Sequence, residues 1–268
     1  MEFFGYGLAI LIGLSLGLIG GGGSILTVPV LVYVMHMNPV ISTAYSLFIV
    51  GATALAGAYT YFRQKQLCYR AAIVFSIPSF LAVFFTRSYL MPMIPDHIGS
   101  IGEFMLTKQF MIMFVFALLM ILSSYSMISK GFVAKISDEE FSPGKIKFNY
   151  PLIILEGAVV GMLTGFVGAG GGFLIIPALV LLVGLPMKVS IGTSLLIIAA
   201  KSLLGFTGDV YAGLDVDWGF LLLFTGFALG GIGFGTYFSK KVKSEKLKPA
   251  FGWFTLILGI MIMIKELI

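Results

Sequence analysis

Two stretches decide the fold: residues 17–32 read GLIGGGGSILTVPVLV, and residues 165–180 read GFVGAGGGFLIIPALV. Eight of the sixteen aligned positions are identical at an offset of 148 residues. The same offset goes on to pair Ser42 with Ser190 without a gap. Self-similarity of this kind indicates an internal duplication. We therefore interpret the chain as two homologous halves.

The composition indicates that lipid surrounds both halves. The chain is 59% hydrophobic and 11% charged, and its mean hydropathy of +1.05 exceeds what a soluble core of this length can hide. Its basic residues cluster in short loops between apolar spans, which is typical of membrane topology and argues against a nucleic-acid partner. Cys68 is the single cysteine, and His36 and His97 lack metal-ligand spacing. No cofactor or metal is predicted.

The apolar spans predict an all-α polytopic membrane protein, in which each half combines a glycine-broken hairpin with three transmembrane helices. The predicted divisions are a first membrane repeat at 1–129, a cytoplasmic linker at 130–149 and a second membrane repeat at 150–268. In order, the spans are 3–19, 24–34, 40–62, 71–86 and 110–128, then 151–167, 173–183, 189–207, 218–238 and 250–264.

Charge predicts how the halves face. The loop after residue 62 is basic, with Arg63 and Lys65, whereas its repeat mate holds Asp209, Asp215 and Asp217. One loop later the signs reverse. The loop with Asp96 and Glu103 corresponds to one that carries Lys240, Lys241, Lys243, Lys246 and Lys248. Because basic loops stay on the cytoplasmic side, the repeats are predicted to be inverted, with both termini external.

Inversion requires an odd number of crossings in each half, so the chain must turn back at its glycines. The arms of the first hairpin, 3–19 and 24–34, would reach about 25 Å and about 16 Å, against a hydrocarbon thickness of about 30 Å. These lengths favour a re-entrant hairpin over two separate crossings. The second alternative stays open at this stage.

The glycine turns are candidate anion sites. A turn that opens a new helix at membrane depth points free amides and a positive dipole end into whatever cavity surrounds it. The alternative is that these glycines only allow close helix packing, the role we assign to Gly226, Gly230 and Gly231. The candidate residues are Gly21, Gly22, Gly23 and Ser24 in the first half and Gly170, Gly171 and Gly172 in the second.

Hydroxyl groups recur just after both hairpins. They can donate to a substrate oxygen without adding charge, although hydroxyls that bond to carbonyls of the preceding turn are common in membrane helices. Their presence in both halves favours a lining role. The candidates are Ser42, Thr43 and Ser46 in the first half, and Ser190, Thr193 and Ser194 in the second.

Lys201 is the candidate cation of the site. An ionised side chain deep in a span costs about 2.5 to 3.5 kcal/mol on insertion scales, and such a residue usually marks function. Its repeat mate is Thr53, so one half alone would supply the charge. The alternatives are that Lys201 extends toward an interface, or that it pairs with Asp209 two helical turns away.

The doubled glycine element resembles the TauE/SafE sulfite exporter family, and the resemblance covers essentially the whole chain. In the second half it continues through Gly192-Thr193-Ser194-Leu195 and Lys201-Ser202-Leu203-Leu204-Gly205-Phe206. The resemblance implies an integral plasma-membrane transporter of sulfite, sulfonates or related small sulfur-containing anions, commonly outward.

The expected function is secondary transport of a small anionic substrate across the lipid bilayer. A homodimer is an assembly that the sequence allows. A passive anion channel on the same scaffold is the alternative. An enzyme is not expected, because the spans contain neither a His/Glu zinc pair nor an acidic dyad.

The inverted topology predicts which loops share a side of the membrane. In a Cys68→Ala background, single cysteines at Lys65 and Lys243 should label from the cytoplasm with an impermeant maleimide. Cysteines at Glu103 and Gly213 should label from outside. Labelling of positions 103 and 243 from the same side would contradict the inversion.

Overall fold

The computed structural model describes residues 2–101, 104–128, 149–181, 183–239 and 244–267. It is built almost entirely from helices. These are α1 (Glu2–Ile19), α2 (Thr27–Pro29), α3 (Pro39–Arg63), α4 (Tyr69–Phe85), α5 (Met91–Met93), α6 (Lys108–Ile128), α7 (Tyr150–Val167), α8 (Gly172–Leu181), α9 (Met187–Tyr211), α10 (Trp218–Ser239) and α11 (Ser244–Leu267).

Irregular helical turns join some of these elements. A 3-10 segment at Gly20–Leu26 precedes α2, and π-helical turns at Val30–Val34 and Thr86–Leu90 follow α2 and α4. A small antiparallel hairpin of β1 (His97–Ile101) and β2 (Phe104–Thr107) precedes α6. The described residues contain six helices that are long and apolar enough to span a membrane. The predicted all-α polytopic architecture is confirmed.

Helix α4 shows how the bundle meets lipid. Ile73, Ile77, Leu81 and Phe85 recur every four residues and are each more than half exposed, so they form one apolar outer face. The opposite face carries buried residues such as Phe75. A helix that is apolar on both faces is typical of a membrane span.

Helices α3 and α9 form the centre of the bundle, and they run antiparallel. A Cβ built on Gly57 would lie 3.2 Å from a methyl carbon of Leu195, and one built on Gly205 would lie 3.6 Å from a methyl carbon of Leu47. These two contacts are related by the repeat offset of 148 residues. The same packing contact is therefore made twice, each time between a glycine of one half and a leucine of the other half.

The remaining long helices pack across the halves through glycine. Helix α1 lies against α10, where a Cβ on Gly17 would come within 2.6 Å of the Thr236 backbone nitrogen. Helix α7 lies against α4, where a Cβ on Gly157 would come within 2.8 Å of the Phe75 carbonyl oxygen. Helices α1 and α7 are repeat mates, as are α10 and α4. Each half thus packs its first helix on a later helix of the other half.

Helices continue past two predicted span ends that matter for the site. The apolar run predicted to end at residue 86 continues helically to Met93, and the run predicted to end at residue 207 continues to Tyr211. Of the predicted linker 130–149, only residue 149 falls in the described part, and Lys240, Lys241 and Lys243 also lie outside it.

Adjacent glycines on α10 differ sharply in their surroundings. A Cβ on Gly231 would collide with the Ile10 backbone, whereas Gly226 and Gly230 have nothing within 4 Å. The predicted packing role therefore holds for Gly231, while the other two are exposed on the outer face.

We expect Gly231→Leu to lower the melting temperature in detergent by roughly 5–10 °C, because overpacking a close helix contact is destabilising. Gly230→Leu is the matched control and should melt like the parent. Equal melting temperatures for both variants would contradict this packing.

Candidate functional site

The two glycine segments meet inside the bundle. A Cβ on Gly21 would lie 2.5 Å from the Gly172 Cα, and one on Gly172 would overlap the Gly21 backbone. The second turn contains left-handed residues, with φ of 66° at Gly170 and 70° at Gly171, a conformation that glycine adopts without strain. The contact lies beside Ile198, near the middle of α9, since a Cβ on Gly21 would also touch its side chain. Two segments far apart in sequence thus pack backbone to backbone.

The flanking contacts follow the repeat as well. A Cβ on Gly20 would lie 2.6 Å from a methyl carbon of Ile191, and one on Gly168 would lie 2.5 Å from the Thr43 Cα. Gly20 and Gly168 are repeat mates, and so are Thr43 and Ile191. Each glycine segment therefore packs against the central helix of the opposite half.

Lys201 lies at the second glycine turn and is completely buried. Its Nζ donates a hydrogen bond to Thr164 Oγ1 at 2.6 Å, and a Cβ on Gly171 would sit 2.9 Å from the same nitrogen. Within the described part of the chain, no carboxylate forms an ion pair with Lys201. The alternative in which Lys201 pairs with Asp209 is wrong, because Asp209 has another partner.

That partner is Arg87. Its Nη1 donates to Asp209 Oδ1 at 3.3 Å and to Thr43 Oγ1 at 3.0 Å. The guanidinium is only 1% exposed and Asp209 only 9%. The predicted spans 71–86 and 189–207 end just before these two residues. The structure corrects both span ends, because the helices continue through Arg87 and Asp209.

A local feature makes room for this ion pair. Arg87 lies in the π-helical turn Thr86–Leu90, and Gly208 faces it, since a Cβ there would come within 3.1 Å of the Arg87 Cβ. The apolar residues that follow Arg87, from Tyr89 to Ile94, were the available signal that the helix goes on.

The predicted hydroxyls divide into two groups. Ser24, Thr43, Ser190 and Ser194 bond to nearby backbone carbonyls, and Thr193 Oγ1 accepts a hydrogen bond from the Cys68 backbone N–H at 3.0 Å. The buried hydroxyls of Ser42 and Ser46 have no partner among the described residues. The first group holds backbone in place, and the second remains available to a ligand.

The structure brings one part of the predicted set together around the second turn. Gly170 lies beside Ser24, since its Cβ would be 3.2 Å from the Ser24 Cβ. Thr193 lies elsewhere, against the loop before α4. Gly23 packs on α1, against Leu16 and Ser15, and nothing is described of the surroundings of Gly22. The residues in mutual contact at the turns are Gly21, Ser24, Gly170, Gly171, Gly172, Lys201 and, unforeseen from sequence, Thr164.

The arrangement offers the amine of Lys201 and the positive dipole end of α8. The hydroxyls of Ser24 and Thr164 donate to the Gly21 and Gly161 carbonyls, so they hold backbone in place. An amine beside a positive helix end favours an anion. The part of the chain that the structure describes contains no group of three His, Cys, Asp or Glu residues that could hold a metal ion.

Comparison with known proteins identifies the chain's relatives. The family model described as "Sulfite exporter TauE/SafE" matches residues 6–262. A "Probable membrane transporter protein" of Xylella fastidiosa is 30% identical over 254 residues, covering 93% of this chain and 90% of that protein. Relatives with the same description occur in Bacillus subtilis, at 26% identity over 86% of this chain and 85% of that protein, and in Methanocaldococcus jannaschii, at 25% over 78% and 73%. No solved structure matches. The chain is thus a multi-pass membrane protein that belongs to the TauE/SafE sulfite exporter family.

Proposed function

We propose that this transporter is a secondary exporter of small sulfur-containing or related organic anions, such as sulfite or sulfonates. The observation that carries the proposal is Lys201, an amine buried beside the Gly171 turn with no carboxylate paired to it in the described residues. A buried ammonium without a counter-charge is costly. A small anion held at the turn would supply that counter-charge.

The magnitude of this attraction is adequate for a transport site. Two unit charges 4 Å apart attract by about 4 kcal/mol at an effective dielectric constant of 20. The N-terminus of the ten-residue helix α8 adds donors and a partial positive charge directed at the same place. The site is thus suited to moderate binding, which lets a substrate enter and also leave.

The burial of the site supports a transporter over a channel. Lys201 is 0% exposed, so a substrate reaches it only after the surrounding helices move. The halves make reciprocal contacts at Gly57–Leu195 and Gly205–Leu47. These contacts support an inverted repeat in which the two halves can exchange conformations, so that the site opens first to one side and then to the other. Alternating access of this kind is typical of inverted-repeat transporters.

The direction of transport follows from electrostatics. Moving one negative charge outward across an inside-negative membrane gains about 2.3 kcal/mol per 100 mV. An exporter of anions therefore needs no coupling ion. We propose a plasma-membrane location, with both termini external as the loop charges predict.

A binding screen of the purified protein tests the substrate class. The ligands are sulfite, sulfoacetate, thiosulfate, sulfate and simple carboxylates. Binding of a sulfur oxyanion, with saturable counter-transport in proteoliposomes, is the expected result. Single-channel currents would eliminate the transporter in favour of the channel.

Lys201→Met should weaken anion binding by about tenfold or more, because it keeps the side-chain length and loses the charge. Lys201→Arg keeps the charge with altered geometry and should be intermediate. Lys188→Met, at the exposed N-terminal end of the same helix, is the control for a lost charge. Parental affinity in the Lys201→Met protein, measured by titration calorimetry, would remove Lys201 from the site.

Gly170→Val should abolish transport, because a β-branched side chain strains the left-handed turn and fills the space beside Ser24. Gly213 is the matched position, with φ of 90° but nothing within 4 Å. Gly213→Val therefore carries the strain without the obstruction and should transport. Size-exclusion profiles establish that both variants fold. Transport at the parental rate by the Gly170 variant would contradict the role of the turn.

A further inference from the structure

The structure assigns a second anion-binding position to Arg87, at the outer end of the bundle; this inference rests on the proposed function. The position is distinct from Lys201. Asp209, which contacts Arg87, is two helical turns beyond Lys201, nearer the end of α9 at Tyr211.

The hydrogen bonds of the guanidinium carry the inference. Only Nη1 is engaged, by Asp209 and Thr43. Nε and Nη2 are buried and have no partner among the described residues. These two nitrogens form one edge of the planar group, and that edge matches two oxygens of a carboxylate or sulfonate in a bidentate arrangement. The bound end of Arg87 fixes the orientation of the free edge.

Other unpaired donors lie close by in the chain. The hydroxyls of Ser88, next to Arg87, and of Ser42, next to Thr43, are buried without a partner in the described part of the chain. Leaving a buried donor unpaired costs about 1–3 kcal/mol, and more for a charged group. Unpaired hydroxyls next in sequence to both residues of the Arg87–Thr43 hydrogen bond are suited to an oxyanion ligand.

A sequence of contacts connects this position with the turn. Gly171 lies against Lys201, and Gly168 of the same turn lies against Thr43. Thr43 in turn accepts a hydrogen bond from Arg87. Lys201 therefore contacts this turn directly and Arg87 contacts it through Thr43, so an anion that leaves Lys201 on the way out meets the free edge of Arg87 next.

Asp209 determines how strongly this second position binds an anion. Its carboxylate offsets the charge of Arg87, so an anion there binds through directed hydrogen bonds with little net attraction. Asp209 Oδ2 is also buried without a partner among the described residues. A carboxylate that competes with the substrate for the guanidinium favours release over retention.

Two conservative variants distinguish a binding site from a structural ion pair. Asp209→Asn keeps an oxygen that accepts from Nη1 and removes the competing charge, so affinity for sulfoacetate should rise about fivefold while the turnover rate falls. Arg87→Lys keeps the charge and loses the two-nitrogen edge of the guanidinium, so affinity for sulfoacetate should fall about fivefold. A merely structural pair would make both variants less stable and shift affinity in the same direction.

The measurements are calorimetric titration with sulfoacetate and counterflow kinetics in proteoliposomes. The controls are Asp215→Asn, on the exposed external loop, and Arg63→Lys, on the exposed end of α3; both should match the parent. If either single variant fails to fold, the neutral pair Arg87→Gln with Asp209→Asn replaces it. That double variant lacks the planar guanidinium that binds two oxygens at once. It should therefore bind sulfoacetate at least about fivefold more weakly than the parent.

The possible failures are separable. If the parent binds none of the anions in the screen, the proposed function falls and this inference with it. If the parent binds and Lys201→Met weakens binding, the proposed function stands. Shifts of equal sign in the Asp209 and Arg87 variants, or parental affinity in the neutral double variant, would then overturn the Arg87 position alone.

Discussion

The constraint on which the structure depends is that a broken helix in a membrane must satisfy its backbone within the protein. Each half of this chain breaks its first helix at glycines, and the two breaks pack on each other at Gly21 and Gly172. Glycine is required there because any Cβ would overlap the opposing backbone. Neither glycine segment could keep this packing without the other. The contact between the halves is therefore a condition of the fold, and the central helices α3 and α9 enclose it.

The scaffold is repeated while its charge is not. Lys201 corresponds to Thr53, whose hydroxyl bonds to the Ile49 carbonyl of its own helix at 2.5 Å, and Arg87 corresponds to Gly235, which packs on α1. The first glycine segment thus has apolar neighbours such as Ile191, whereas the second has Lys201 beside it and Arg87 one contact away, through Thr43. The backbones differ as well, with a 3-10 segment at Gly20–Leu26 and a left-handed turn at Gly170 and Gly171. In the function that we propose, the second segment alone binds the anion.

The sequence predicted the parts of the fold that depend on repetition and composition. The positions of the long helices follow from hydropathy, and the two glycine segments that pack together were located by the offset of 148 residues. The burial of Lys201 follows from composition, since a lone charge in an apolar run lies inside a span. The ion pair of Arg87 and Asp209 was missed because each charge, taken singly, resembles the end of a span. Its burial depends on a pairing between residues 122 positions apart and on the space left by Gly208. A hydropathy profile reveals neither the pairing nor the space.

In the exporter that we propose, Lys201 attracts the anion and Arg87 releases it along an outward path. An anion beside Lys201 faces a positive charge with no paired carboxylate in the described structure, so the middle of the bundle is where it is held most strongly. At Arg87 the same anion faces a charge already offset by Asp209, and only the geometry of the free edge retains it. Affinity therefore decreases toward the outside, in the direction in which the membrane potential also drives the anion. A single site of strong affinity would bind the substrate and keep it, whereas a strong inner site followed by a weaker outer one lets it pass.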